Sequence, residues 1–478
     1  MRRMPRWRWA LFALVAVTGL LSAYSYGVSY VAWQRTLRAA GFTGEMAPPA
    51  KGERILVVAP HPDDEALGCG GLIQQAVANG ADVHVLLMTN GDASQFAVVF
   101  GEREMPWIPA NMVSLGKKRQ DETRGAMMKL GLPRDHIHFL GFPNNGLVAL
   151  WRPEHWLHSQ LYRSPYTHLD HSPYVGDATQ NAPYCGEQVL DDLLAVLQQV
   201  RPESIFVTHP RDVHPDHWAT SAFVGYAVAT AGVRGADWAK TVKMWGYLVH
   251  WPNFPAPRRS KTALELLPPP ELSGESAQWY RLPLTPEQAK RKMADVRTYA
   301  SQEPRFDRLM LAFPRQDEIF EALPVTTIAI GDTIHWRTPN AKRRGFGGVE
   351  VKSVRLRVDK DLTTQAEIET APKKIPTNGY VCLDVRTWDE KRAPVITTLY
   401  MRAKGESPVV LLEGEAPARS VSAKVDETQR GSLAVTRLPL PSGSMARREV
   451  FVTCFGSVRD RVTAPAVIGR VKFEGGGK

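Results

Sequence analysis

The chain is 478 residues long, with 44% hydrophobic residues, 23% charged residues, four cysteines and a formal net charge of +10. A mean hydropathy of −0.25 excludes a bundle of membrane spans, and the length and apolar content exclude a disulfide-stapled miniprotein or a disordered chain. The basic excess is uneven, at +5 over residues 1–50, −4 over residues 51–324 and +9 over residues 325–478, so the central region offers no footing for nucleic acid.

Arg2, Arg3, Arg6 and Arg8 precede a run from Trp9 to Trp33 without a charged residue. At about 1.5 Å per residue such a run crosses a bilayer core of roughly 30 Å. It predicts one membrane helix with its N-terminus inside, leaving the rest of the chain outside the cytoplasm, on the periplasmic or extracellular side. A signal peptide cleaved near Ala23-Tyr24-Ser25 is the alternative. Ala47-Pro48-Pro49-Ala50 reads as a linker, which divides the chain into an anchor or signal segment with linker (1–50), a central domain (51–324) and a basic accessory domain (325–478).

From Ile55 onward, short apolar runs rich in β-branched residues alternate with helical periodicity. Strands are expected at Ile55–Ala59, Val83–Met88, Ile137–Leu140, Ser204–Thr208 and Lys243–Val249. Helices are expected after Glu65, near Leu115–Leu130, at Glu187–Val200 and at His217–Ala231. A last helix begins at Thr285, with Pro286 at its first position and Gln288 completing a capping box. This rhythm predicts a doubly wound, Rossmann-like parallel sheet, which binds ligands beyond the carboxyl ends of its strands.

Two polar clusters fall at such ends. His61-Pro62-Asp63-Asp64 follows the first strand, and His214-Pro215-Asp216-His217 follows Ser204–Thr208. Either cluster alone reads as well as a helix cap. Together they supply what a hydrolytic divalent-metal site requires: two histidines and one aspartate as ligands, a second aspartate as general base, and a remaining histidine to polarise a carbonyl or protonate a leaving amine. Spacing leaves open which aspartate ligates.

The stretch Val58-Ala59-Pro60-His61-Pro62-Asp63-Asp64-Glu65-Ala66-Leu67-Gly68-Cys69-Gly70-Gly71 resembles the signature of the PIG-L/LmbE-like N-acetylglucosamine deacetylases, the family that includes the GlcNAc-phosphatidylinositol de-N-acetylases. Thr89-Asn90-Gly91-Asp92, Arg119 with Glu122, His214-Pro215-Asp216-His217 and Ser301-Gln302 resemble further motifs of that family, in the same order. The resemblance implies Zn²⁺ held by His61, Asp64 and His217, and a His-His-Asp set also suits Fe²⁺. It further implies Asp63 as general base, and His214 as the group that stabilises the oxyanion or protonates the amine, oriented by Asp216. Arg119 and Asn144 would contact substrate. Pro143-Asn144-Asn145-Gly146 departs from the family's usual Pro-Asp-Gly and puts asparagine where a carboxylate is common.

With the anchor expected from Trp9–Trp33, the resemblance implies a membrane-anchored N-deacetylase acting on an N-acetylated, GlcNAc-type sugar of a cell-surface glycan or glycolipid. The alternatives are an amidase for another sugar amide and an inactive glycan-binding protein. Between Gly146 and Gly186 lies an aromatic-rich insertion including Trp151, Trp156, Tyr162, Tyr174 and Tyr184, expected to form a lid that stacks on sugar rings. Beyond Pro324 the alternation becomes that of short strands, which predicts an antiparallel β-sandwich whose +9 charge suggests an anionic polymer as partner. Cys382 and Cys454 fall on strands of that sandwich, where export would permit a disulfide.

Overall fold

The computed structural model describes residues 41–478 except 95–104, 106–107, 177, 259–261, 274–276, 303–308, 339–348, 361–362, 372–374, 376–377, 402–408, 414–423, 428–432, 440–447, 459–460, 463–466 and 475–478; of residues 1–40 it describes 16–20, 24, 27–28, 30–31, 34 and 37. The expected membrane segment Trp9–Trp33 therefore lies largely outside the described residues. Among the described residues, no helix is long and apolar enough to cross a membrane.

The first sheet has eight strands: β1 (Gly44–Glu45), β2 (Arg54–Ala59), β3 (Asp82–Thr89), β4 (Ile137–Phe142), β5 (Ser204–Thr208), β6 (Lys243–Tyr247), β7 (Trp279–Pro283) and β8 (Asp317–Ala322). Their order is β1-β7-β8-β6-β5-β2-β3-β4. Strands β4, β3, β2, β5 and β6 are parallel, while β8 pairs antiparallel with both β6 and β7. From β2 the chain winds outward through β3 and β4, then returns to place β5 on β2's other side. The loops after β2 and β5 consequently part and leave a crevice at the carboxyl ends of these two strands.

Helices α1 (Asp64–Asn79), α2 (Pro109–Leu130), α3 (Leu147–Trp151), α4 (Gly186–Val200), α5 (Pro215–Val233), α6 (Trp238–Thr241) and α7 (Pro286–Val296) connect or cover these strands. Thr285 caps α7 in the expected capping box with Gln288. Strand β7, Trp-Tyr-Arg-Leu-Pro, was not expected, and β8 is hidden in the sequence because Asp317, Glu318 and Glu321 interrupt the apolar pattern of a strand. Asp317 and Glu318 are buried for specific reasons. Asp317 accepts the backbone N–H of Leu266 at 2.6 Å. Glu318 forms a fully buried ion pair with Lys292 at 2.5 Å and accepts the N–H groups of Gly71 and Leu72, while Lys292 also donates to the carbonyl of Leu67. The pair presses its charges into the side of α1, and Gly71 allows the approach: a Cβ there would lie 2.5 Å from Leu284.

Two further sheets follow. Five strands run in the order β10 (Thr333–Arg337), β11 (Glu350–Val358), β12 (Thr363–Ala371), β17 (Leu433–Pro439), β16 (Lys424–Glu427). The other sheet runs β15 (Val409–Glu413), β14 (Pro394–Met401), β13 (Gly379–Trp388), β18 (Glu449–Val458), β20 (Val467–Glu474), β9 (Thr326–Ala329), with β19 (Arg461–Val462) pairing on β18. All pairings are antiparallel except β20 with β9. Strand β12, Thr-Thr-Gln-Ala-Glu-Ile-Glu-Thr-Ala, was not expected; its polar outward residues mask Ala366 and Ile368, which turn into the core.

Side chains of β13 and β18 alternate between two buried environments. Val381, Leu383, Val385, Val450, Val452 and Cys454 face the five-stranded sheet. Cys382, Trp388, Phe451 and Phe455 face the other way, into an apolar cluster shared with α3 and α5. This corrects the disulfide expectation: in the β13–β18 register Cys454 lies opposite Leu383, so the two thiols are free and point to opposite faces. It also explains α5, which is buried nearly all round because sheet covers both its sides.

Arg386 of β13 lies at the centre of the junction, its guanidinium carbon 3.4 Å from the centre of the Trp151 ring and 4.2 Å from that of Trp156. It donates to the carbonyl of Trp151 and to Asp384. Trp151 and Trp156 of the aromatic insertion thus do not form the expected lid. They are buried against Phe223, Tyr226 and Phe451, because these large rings have the C-terminal strands as their partner.

Two outcomes are expected. Lys292→Met strands the Glu318 carboxylate without a counter-charge and should cost about 3–5 kcal/mol in denaturant unfolding. Asp295 on α7 is buried with neither carboxylate oxygen hydrogen-bonded, and burial pushes its pKa up to about 7. The folded state then holds a proton that the unfolded chain releases near pH 4, so stability falls as pH rises from about 4 to about 7 and is level above that. Asp295→Asn should raise the melting temperature relative to the parent increasingly across that window, with a constant gain above it.

Candidate active site

The turn after β2 is held from two sides. Thr89, at the end of β3, donates through N–H and Oγ1 to the carbonyl of Pro60 at 3.0 and 2.8 Å. Arg119 of α2 donates to the carbonyls of Pro62 (2.5 Å) and Gly91 (3.0 Å) and to the carboxylate of Asp63 (3.1 Å). Gly91, at φ +67°, must be glycine, since a Cβ would lie 2.0 Å from Arg119 Nη1. Asp63 itself adopts φ 119°, a left-handed backbone that costs a non-glycine residue roughly 1–3 kcal/mol and persists only where its surroundings enforce it. Arg119 does not pair with Glu122, which instead accepts the N–H and hydroxyl of Ser301 at 2.9 and 2.7 Å and latches the end of the α/β region to α2.

Across the crevice, His214 caps α5, with Pro215, Asp216 and His217 in its first turn. One oxygen of Asp64 meets both clusters, lying 3.1 Å from His61 Nδ1 and 3.2 Å from His217 Nε2. The far nitrogen of each imidazole faces a different carboxylate, His61 Nε2 being 3.1 Å from Asp216 and His217 Nδ1 3.2 Å from Asp212. Asp216 also accepts the N–H groups of Asn145 (2.6 Å) and Leu147 (3.2 Å). The expectation that Asp216 orients His214 is corrected accordingly. The Asp216 side chain supports His61 and the turn before α3, and only its backbone N–H reaches His214 Nδ1, at 3.2 Å. With Nδ1 accepting that bond, a neutral His214 carries its proton on Nε2.

Burial opposes charge throughout the site, and partners decide each outcome. It raises Asp63 well above the carboxylate range, with Arg119 only partly offsetting it. It would raise Asp64 too, but His217 and His61 hold that carboxyl well below its usual value. His217 is pushed up to about 10 by Asp64 and Asp212 against the effect of burial. His214 falls well below its usual value through burial and the neighbouring His61, His217 and His250 rings.

A cavity of about 280 Å³ opens over these groups, lined by His61, Asp63, Asp64, Arg119, Asn144 and His214 together with His250, Gln302 and Met310. Arg119 and Asn144 thus stand where a substrate would touch them. Arg119 is already engaged by Asp63 and two carbonyls, whereas Asn144 gives its backbone N–H to Asp92 at 3.2 Å. Asp212 and His250 were not anticipated. Asp212 accepts the N–H groups of His214, Val249 and His250 at 2.9–3.0 Å, tying the ends of β5 and β6 together under the site. Their signal was positional: an aspartate two residues before the second cluster, and a histidine just past β6, beside β5 in the sheet.

The residues present fit a divalent ion. Both ring nitrogens of His217 are buried without a well-angled hydrogen bond, facing oxygens at about the spacing that ligands of a tetrahedral ion keep. His61 and His217 each have a carboxylate behind the second nitrogen, the usual backing of a ligating imidazole. The nitrogens of His61, His214 and His217 also come within 4.8 Å of one another, as do the ligand atoms of Asp64, His217 and His250. In the set His61, Asp64, His217 the two imidazoles share one carboxylate oxygen and a carboxylate backs each of them.

Residues 56–228 match the sequence model of the family described as PIG-L, GlcNAc-PI de-N-acetylase. The chain is 33% identical over 195 residues to 1D-myo-inositol 2-acetamido-2-deoxy-alpha-D-glucopyranoside deacetylase of Mycobacterium sp. (strain KMS), covering 40% of this chain and 54% of that protein. It is 30% identical over 203 residues to the protein of the same name from Rhodococcus opacus (strain B4), covering 40% and 60%. The chain thus spans about half the length of the curated relatives it matches. Among solved structures, N,N'-diacetylchitobiose deacetylase from Pyrococcus horikoshii aligns over 56% of this chain and 83% of its own, at 17% identity and a TM-score of 0.35.

Asp212→Asn should weaken zinc affinity about 10–100-fold, because His217 loses the carboxylate that fixes its ring and raises its basicity. Competition with a chromophoric chelator measures this directly; unchanged affinity would remove Asp212 from the site.

Proposed function

We propose that this chain, whose residues 56–228 belong to the PIG-L/LmbE deacetylase family, hydrolyses the acetamide of an N-acetylglucosamine-type sugar. The observation that carries this reading is the convergence of His61 and His217 on one carboxylate oxygen of Asp64, beside an aspartate of raised pKa and a histidine whose proton sits on Nε2. His61, Asp64 and His217 would hold Zn²⁺, with Fe²⁺ also suited to that donor set. A divalent ion there supplies Lewis acidity and a water that ionises near neutrality.

The remaining steps belong to the chain's own residues. Asp63, fixed by Arg119, takes a proton from the attacking water as the new C–O bond forms. The Nε2–H of His214 donates to the oxygen that becomes negative in the tetrahedral intermediate. Asp63 then returns the proton to nitrogen as the C–N bond breaks, so that acetate and the free amino sugar leave. Arg119, positioned by Gly91, keeps the Asp63 carboxylate aimed at the cavity rather than relaxing out of its left-handed turn. Asn144 and Asn145 line the same cavity and offer amide groups to sugar hydroxyls.

A glycan or glycolipid at a membrane surface is the substrate we favour. The arginine-flanked, uncharged run Trp9–Trp33 supports tethering there, and the +9 charge of residues 325–478 supports an anionic polymer or headgroup as a partner of the accessory region.

Acetate release by the full chain from GlcNAc-inositol, chito-oligosaccharides and surface-glycan extracts tests the proposal. Asp63→Ala should lower turnover by at least about 10²–10⁴-fold while retaining bound metal. Stoichiometric zinc without acetate from any N-acetyl sugar would point to another amide, and full activity in Asp63→Ala would refute the assignment of the base.

A further inference from the structure

A second cluster of imidazoles lies at the opposite end of the first sheet, away from the crevice. Asp82 opens β3 and His84 follows two residues later; His136 immediately precedes β4 and His138 is its second residue. These are the amino ends of adjacent parallel strands, whereas both catalytic clusters follow carboxyl ends. One oxygen of Asp82 lies 3.3 Å from His84 Nε2 and 3.6 Å from His136 Nδ1, and ligand atoms of all three residues fall within 4.8 Å of one another. Three ligands of one tetrahedral ion stand about 3.3 Å apart when each is about 2.0–2.1 Å from the metal. The two edges that meet at Asp82 are therefore close to the right size before anything moves, and the third lies within 4.8 Å.

We propose that Asp82, His84 and His136 form a second divalent transition-metal site, of the imidazole–carboxylate type that takes Zn²⁺, separate from the catalytic centre. His84 is prepared for ligation by its other nitrogen, since Nδ1 is 3.0 Å from His138 Nε2, and a proton shared there leaves the Nε2 lone pair free towards Asp82. His138 is thus the group that backs a ligating imidazole, the part Asp212 and Asp216 play at the catalytic centre. His136 Nδ1 now donates to the carbonyl of Val83 at 2.9 Å. Binding shifts that proton to Nε2, the tautomer with a lone pair on Nδ1, and leaves the Val83 oxygen beside the ion. The His136 ring also stacks on His84 at 4.0 Å between centres and must tilt out of that stack to aim its lone pair; it sits at the edge of the sheet, about a quarter exposed, where such a tilt meets little resistance. The Asp82 side chain is 44% exposed, which gives the ion a route in and leaves room for a water as a fourth ligand.

The test counts metal in the full chain after equilibration with zinc and removal of the excess. The parent should bind two equivalents, and Asp82→Asn and His136→Gln should each bind one while releasing acetate at the parental rate. Asp64→Asn should lose the other equivalent and the activity together, which distinguishes failure of this site from failure of the catalytic assignment. Cobalt substitution adds a readout independent of activity: visible d–d absorption of the second equivalent should vanish in His136→Gln. If the parent, Asp82→Asn and His136→Gln bind the same number of zinc ions, the proposal is wrong. Both substitutions are at partly exposed side chains, so the variants should fold, and circular dichroism of the metal-free chains checks that they do.

Discussion

One oxygen of Asp64 ties the two sides of the candidate site together. It is buried, and it lies between an imidazole from its own turn and one from a helix that begins some 150 residues later. A carboxylate in that position is tolerable only if both imidazoles arrive, so the crevice between β2 and β5 must have one width. Much of the surrounding structure sets that width. Thr89 pins the first turn, Arg119 closes it, Asp212 joins the ends of β5 and β6, and the Asp216 carboxylate carries the turn before α3.

How much of this was legible in the sequence differs by kind of residue. Continuous apolar runs such as Ile55–Ala59 and the two His/Asp clusters at strand ends placed the parallel strands and the site, because periodicity and local motifs are written in neighbouring residues. Strands β8 and β12 were not legible: acids inside them look like loop, and what makes Glu318 acceptable in a strand is Lys292 on a separate helix. The same holds for the roles of Asp212 and Asp216. Each is chosen by the imidazole it faces, and that choice depends on a three-dimensional approach no local pattern encodes.

The aromatic insertion shows how composition can mislead about direction. Trp151 and Trp156 suggested sugar stacking, since exposed aromatics near a catalytic centre often do that. Their actual partner is a guanidinium and a set of rings on β13, β18 and α5. A buried arginine between two indoles, with Asp384 as its counter-charge, is the kind of contact that fixes register between two layers rather than one that reads a ligand.

The seven-stranded sheet has no watery side over β13 and β18. One face completes a sandwich and the other serves as the outer wall for the helix that presents His217. A chain built in this way cannot exchange its C-terminal strands for an unrelated module without also rewriting Trp151, Trp156, Phe223 and Tyr226, since those side chains would then face water. The boundary near residue 324 is a division of topology only. In the currency of heritable change, the His/Asp centre and the C-terminal strands behind its helix form a single unit that must diverge together.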